Sequence, residues 1–222
     1  MRAVRFANGH LPDPVAARGR LLPGDLILCA DGGSRHALDM GLRPDLVVGD
    51  LDSLSSADRA RISQLGCAIQ QHPADKNETD LELALLHAVT HYPDHEVLIL
   101  GGFGGRFDHM LANVLLLAHP RLLGRPIRFV DDRQSAWLLA ADPPPGETTI
   151  AGAPGDVVSL LPLGGPAYVA STTGLRWPLR NETLAFGATR GVSNEMTAAV
   201  ATVRLGEGVV VCVHVEQLTV VS

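Results

Sequence analysis

The chain has 222 residues, a length that suits one or two domains with a sizeable core. Hydrophobic residues make up 46% and aromatic residues only 4%, a globular composition that disfavours a stacking surface for single-stranded nucleic acid. A formal net charge of −6 argues against a phosphate-backbone binder with its basic stripe, yet leaves a nucleotide site open, because Mg²⁺ joins carboxylates to phosphates.

Met1 to His10 are mixed polar and apolar and lack the apolar core of a signal peptide. From there the first two-thirds of the chain alternate short apolar runs with amphipathic stretches. Leu26–Ala30 reads as a buried strand, Ser34–Met40 as a short helix, Leu46–Gly49 as a strand and Ser56–Leu65 as a helix. Ala68–Gln71 is a further short strand. Asp80–His91 carries Leu81, Ala84, Leu85, Ala88 and Val89 at helical spacing, and Thr79 stands where a cap is needed. Val97–Leu100 is a strand, Arg106–Ala118 a helix and Ile127–Val130 a strand. Strands alternating with helices imply a doubly wound, mostly parallel α/β sheet.

The pattern changes at Pro143-Pro144-Pro145-Gly146, which neither a helix nor a central strand tolerates. Beyond it, Asp156–Leu161, Ala198–Arg204 and Val209–Val215 read as strands between Gly-rich turns. The expected division is an α/β nucleotide-binding domain over 1–142 and a small all-β sandwich domain over 146–222. No apolar run approaches the roughly 18 residues of a membrane span. Cys29, Cys67 and Cys212 are scattered, which fits buried thiols in a reducing compartment. The expectation is a soluble cytoplasmic protein without a membrane or nucleic-acid partner.

Acidic residues fall just past the strands. Asp31 follows Leu26–Ala30 and leads into Gly32-Gly33; Asp50 and Asp52 follow Leu46–Gly49. Asp80 opens a helix, and Asp108 lies past Gly101-Gly102-Phe103-Gly104-Gly105. Ligands of open parallel sheets bind outside the carboxyl ends of the strands, so five carboxylates are expected to converge there. Such a cluster calls for a cation, and hard oxygen ligands suit Mg²⁺. On an extended segment Asp50 and Asp52 would point the same way as a metal pair; as turn residues they would equally cap the next helix. The glycines before helices let backbone N–H groups approach phosphate, with Arg106 as a fork of donors. Lys76 is either a phosphate contact near Asp80 or a solvated lysine. His109 and Asn113 share one helix face. Neither GxxxxGK[ST] nor GxGxxG is present, which disfavours a P-loop or dinucleotide fold. These residues alone leave kinase, hydrolase and binder open.

Together, several segments resemble the thiamine pyrophosphokinase family. They are Ala30-Asp31-Gly32-Gly33, Pro44-Asp45, Gly49-Asp50-Leu51-Asp52-Ser53, Thr79-Asp80 and Gly104-Gly105-Arg106-Phe107-Asp108-His109. The match continues through Thr173-Gly174-Leu175-Arg176-Trp177, Leu184-Ala185-Phe186-Gly187 and Val192-Ser193-Asn194. The resemblance implies a homodimer that transfers pyrophosphate from ATP to the hydroxyl of thiamine, giving thiamine diphosphate and AMP. It implies Asp50, Asp52 and Asp80 as Mg²⁺ and phosphate-organising carboxylates, with Asp108 also catalytic. Asp31, Gly32, Gly33, Lys76, Thr79, Gly102, Gly104, Arg106 and Asn113 would bind the nucleotide. Trp177 and Ser193 would contact thiamine, across the dimer interface. Arg35 and Asn77 depart from the family pattern, which often has Asn and Asp there. Two other readings are a pyrophosphokinase acting on another hydroxymethyl acceptor, such as a pterin, and a non-catalytic nucleotide or thiamine sensor.

Overall fold

The computed structural model describes residues 2–142 and 146–217, in two compact units that divide between Asp132 and Arg133. The first unit runs β1 (Arg2–Phe6), α1 (Pro14–Gly19), β2 (Leu26–Ala30), a 3-10 turn (Asp31–Gly33), α2 (Ser34–Asp39), β3 (Leu46–Gly49) and α3 (Ser56–Gln64). It continues with β4 (Ala68–Gln71), α4 (Asp80–His91), β5 (Glu96–Leu100), α5 (Phe107–Leu116) and β6 (Ile127–Val130). Its strands lie in the order β6-β5-β1-β2-β3-β4, every pair parallel.

Short-range chemistry sets the ends of its helices. Asp13 caps α1, Ser55 and Asp58 form a reciprocal capping box on α3, and the Thr79 hydroxyl accepts the Glu82 N–H on α4. Val4, Phe6, Ile27, Cys29 and Val47 turn one sheet face toward Ala37, Leu38 and Ile62 of α2 and α3. The alternate residues, among them Leu28 and Val48, face the other way, where α4 packs on β2 and β3. The side chains Leu81, Ala84, Leu85, Ala88 and Val89 make α4's buried stripe, each large one contributing roughly 1.5–3 kcal/mol.

This is the doubly wound arrangement expected. The chain steps outward from β1 through β4, then returns to place β5 on the other side of β1. The switch between β1 and β5 opens a crevice at their carboxyl ends, the position where such sheets bind ligands. The loops that leave these strands stay paired: the Ala7 N–H donates to Leu100, and the Gly9 N–H donates to Gly101, both at 2.8 Å. A Cβ on Gly9 would stand 2.3 Å from the Gly101 oxygen, so only glycine permits this approach.

The second unit holds β7 (Gln134–Ala140), β8 (Glu147–Ala151), β9 (Val157–Pro162), β10 (Ala167–Thr173), β11 (Arg180–Leu184), β12 (Asn194–Glu195), β13 (Val200–Glu207) and β14 (Val209–Val215). They form antiparallel layers ordered β12-β9-β14-β7 and β11-β10-β13-β8. Trp137, Val158, Leu160, Val210 and Cys212 from one layer share a core with Ile150, Val169, Leu184, Val203 and Leu205 from the other, as in a β-sandwich. The units divide ahead of the expected boundary at 142–146, because β7 pairs along its length with β14. The proline run itself, 143–145, lies outside the described residues.

Candidate active site

A cavity of about 490 Å³ in the first unit is lined by residues from several strand ends and helix starts. Asn8, Gly9 and His10 follow β1; Gly102, Gly104, Gly105 and Arg106 follow β5; Lys76, Glu78, Thr79 and Asp80 lead into α4. His109 and Asn113 reach it from α5, and Asp31 from the end of β2. Asn113 also donates its amide to the Gly102 carbonyl at 3.0 Å, which fixes the glycine loop to the helix.

Beside the cavity, oxygens of Asp31, Asp50 and Asp52 lie within 4.8 Å of one another. Asp31 is buried in the 3-10 turn with a positive φ of 39°. The Ser53 hydroxyl and N–H both donate to its Oδ2, while its buried Oδ1 has no hydrogen-bond partner among the described residues. Asp50 and Asp52 come together differently from the extended geometry expected. Leu51 takes a left-handed φ of 68°, and the Asp52 N–H donates to Asp50 Oδ1 at 3.1 Å. The pair is built by a turn, and it still converges.

Lys76 closes the cluster on its other side. Its Nζ stands 2.8 Å from Asp50 Oδ2 and 2.9 Å from Asp80 Oδ1, and the side chain is 11% exposed. This is a part-buried bridge rather than a solvated lysine. The Lys76 hydrogen bond holds the Asp50 carboxyl below its usual range, and Asp50 in turn pushes the Asp52 carboxyl up. Burial raises the Asp80 carboxyl against the opposing pull of Lys76. Burial disfavours charge on Lys76, but Asp50 and Asp80 outweigh it and raise the amine. Gly49 makes the convergence possible: a Cβ there would stand 2.8 Å from Asp31 Cβ and 3.1 Å from Asp80 Oδ1.

Two expectations change. Asp108 does not join the carboxylates; its side chain is exposed and takes the Arg106 guanidinium at 2.5 Å, which holds the Asp108 carboxyl low. Gly32 and Gly33 do not line the cavity. Their missing side chains instead admit the Asn8 side chain and the Phe6 carbonyl, so they serve close packing. Asn77 is exposed outside the cavity, whereas Arg35 has a defined role, donating to Asn8 Oδ1 at 3.1 Å. Asn8, Gly9 and His10 escaped the sequence reading. Their signal was the apolar Ala3-Val4 and Phe6-Ala7 ahead of an Asn-Gly turn.

In the second unit, Asn194 brackets the Trp177 backbone: its Oδ1 accepts the Trp177 N–H at 3.0 Å and its Nδ2 donates to the Trp177 carbonyl at 2.6 Å. The indole is 49% exposed, with the Arg176 guanidinium 5.1 Å from the ring centroid. Ser193, at φ 59°, donates its N–H to Ser159 Oγ at 3.0 Å. A well-anchored but open aromatic face beside a strained turn suits a cationic ring.

Comparison with known proteins follows this division of the chain. The family described as "Thiamin pyrophosphokinase, catalytic domain" matches residues 22–128, and "Thiamin pyrophosphokinase, vitamin B1 binding domain" matches residues 147–210. The chain is 32% identical over 185 residues to a thiamine pyrophosphokinase of Bacillus subtilis (strain 168), covering 83% of this chain and 84% of that one. It is 30% identical over 189 residues to thiamine pyrophosphokinase 1 of Oryza sativa subsp. japonica, covering 76% and 71% respectively. The crystal structure of a thiamine pyrophosphokinase from Bacillus subtilis superposes with a TM-score of 0.85 at 28% identity, over 98% of this chain and 100% of that one.

Proposed function

The chain belongs to the thiamine pyrophosphokinase family, and from that premise we propose that the cavity of its α/β unit binds Mg²⁺–ATP for attack on the β-phosphorus. The enzyme transfers the pyrophosphoryl group of ATP to the hydroxyl of thiamine, releasing thiamine diphosphate and AMP. The observation that carries our assignment of the site is the meeting of Asp31, Asp50 and Asp52 with Lys76 and Asp80 beside the glycine loop.

The donor set fits Mg²⁺. Its oxygens are hard, they lie close enough to share an ion, and Asp31 Oδ1 is buried without a hydrogen-bond partner among the described residues. Asp31, Asp50 and Asp52 would hold the ion, with Asp80 organising its phosphate side. Bound Mg²⁺ supplies positive charge against the phosphoryl oxygens. The chain's own residues position and exclude. The Gly102–Gly105 loop presents backbone N–H groups to the phosphates, and Thr79 holds the start of α4. Arg106, oriented by Asp108, lies at the cavity rim for the charge that develops on the entering and leaving oxygens. Asn113 keeps the loop in register. Trp177 and Ser193 are assigned to thiamine, the free indole face receiving the thiazolium.

The working form we propose is a homodimer. All ten residues of α5 escape full burial, and Phe107, Leu111 and Leu115 form an exposed apolar stripe at i, i+4, i+8. A second copy that covers this stripe meets the helix that follows Arg106 and carries His109 and Asn113. Among the described residues, no helix is long and apolar enough to cross a membrane. Three free cysteines support a cytoplasmic setting.

The test is an acceptor panel. With ATP and Mg²⁺, thiamine should yield product and a hydroxymethylpterin should not, and chelation with EDTA should abolish turnover. Pterin turnover at the thiamine rate, or turnover unaffected by EDTA, would overturn the assignment.

A further inference from the structure

The carboxylate cluster poses an electrostatic problem in the enzyme without its substrates. Oxygens of Asp31, Asp50 and Asp52 lie close together, Asp31 and Asp80 both crowd Gly49, and Lys76 touches two of the four, Asp50 and Asp80. Its ammonium lies between Asp50 Oδ2 and Asp80 Oδ1, at distances of 2.8 and 2.9 Å. Asp50 belongs to the trio whose oxygens could share an ion, so ammonium and metal draw on the same carboxylate. Lys76 also lines the nucleotide cavity and sits on the irregular segment between β4 and α4. A lysine side chain has rotatable bonds enough to swing from a carboxylate to a phosphate without backbone movement.

We propose that Lys76 is a built-in counter-ion that bridges Asp50 and Asp80 until metal and nucleotide arrive together, then yields Asp50 to the metal and turns to the phosphates. The proposal rests on the metal reading above and adds an order of events to it. It assigns Lys76 opposite effects in the two states. Alone, a divalent ion must compete with the ammonium for Asp50, so Lys76 weakens its binding. When the ion arrives with a triphosphate, the ammonium gains a new anionic partner, so Lys76 strengthens binding of the complex. The site is thereby held closed to free cations and open to the metal–nucleotide pair.

Lys76→Met and Lys76→Gln remove the charge, and Lys76→Arg keeps it; circular dichroism checks that each variant is folded. Binding of Mn²⁺ alone is read from the electron paramagnetic resonance signal of the free ion. It is then repeated with Mn²⁺ and α,β-methylene-ATP. Both neutral variants should bind Mn²⁺ alone on the order of tenfold more tightly than the native enzyme. They should bind the Mn²⁺–nucleotide complex on the order of tenfold more weakly. Lys76→Arg should stay near the native values in both. Neutral variants that bind Mn²⁺ alone no tighter, or that bind both ligands tighter, overturn the proposal while leaving the metal site standing. Absence of Mn²⁺ binding in every variant and in the native enzyme overturns the metal reading and the proposal with it.

Discussion

Ser53 donates both its hydroxyl and its backbone N–H to a single oxygen of Asp31, leaving the other carboxylate oxygen buried without a hydrogen-bond partner among the described residues. If Asp31 holds Mg²⁺ as proposed, the serine acts as the positioning partner of that carboxylate, a role comparable to outer-shell hydrogen bonds at metal sites. Ser53→Ala should leave the fold intact and raise the Mg²⁺ concentration needed for half-maximal turnover by about tenfold. A Mg²⁺ titration of activity checks this. An unchanged Mg²⁺ requirement would show that Asp31 is oriented without Ser53.

On the proposed assignment, Trp177 bears on thiamine binding alone. Its backbone is fixed by Asn194, and its indole projects with one face against Arg176. Trp177→Ala should raise KM for thiamine by about tenfold, the scale of one cation–π contact, with KM for ATP unchanged. Steady-state kinetics with each substrate varied in turn makes the measurement. An effect confined to the ATP side would contradict the assignment.

The β unit contains a buried pair whose effect on stability has a definite sign. His214 Nε2 lies 2.9 Å from Asp156 Oδ2, and both residues are buried. Burial alone would raise the Asp156 carboxyl, but N–H donors of Gln217 and Ala153, with His214, overcome it and hold the carboxyl low. A carboxyl lowered by folding contributes stability above the unfolded value of about 3.9 and loses it as pH falls through the folded value. Acid should therefore destabilise this unit below about pH 4. Asp156→Asn should cost about 3 kcal/mol at neutral pH and flatten the acid limb. Urea unfolding across pH 3–7 reads both effects.

The dimer can be tested at the exposed stripe of α5. Leu111→Glu places a charge in the middle of Phe107, Leu111 and Leu115. Light scattering should show the native enzyme as a dimer and the variant as a monomer with an unchanged circular dichroism spectrum. A native monomer would contradict the dimer, and a variant that remains dimeric would move the interface elsewhere.

How much of this was legible in the sequence depended on how plainly each residue announced its surroundings. The strand Leu46–Gly49 and helix Asp80–His91 emerged with their bounds intact, because apolar periodicity and a Thr79 cap agree there. Strand β1 was missed because Arg2 and Arg5 interrupt its apolar run, and a fully buried arginine has no composition signal. Strands β8, β10 and β11 are rich in Thr, Ser, Glu and Arg on their outer faces, which weakens alternation. In the site, the convergence of Asp31 and Asp50 with Asp52 was readable from strand ends. The left-handed turn at Leu51 was not, since a leucine there runs against local preference. Taken alone, Lys76 read more readily as a solvated lysine, because its second partner, Asp50, is distant in sequence.

The central claim is that Asp50 and its neighbours organise pyrophosphoryl transfer to thiamine. It is tested most directly by turnover of ATP labelled with ³²P at the α-phosphorus, in the native enzyme and in Asp50→Asn. The native enzyme should convert the label to AMP in step with thiamine diphosphate, and the folded variant should be slower by about a hundredfold or more. Labelled ADP from the native enzyme, or an Asp50→Asn variant that turns over at the native rate, would contradict it.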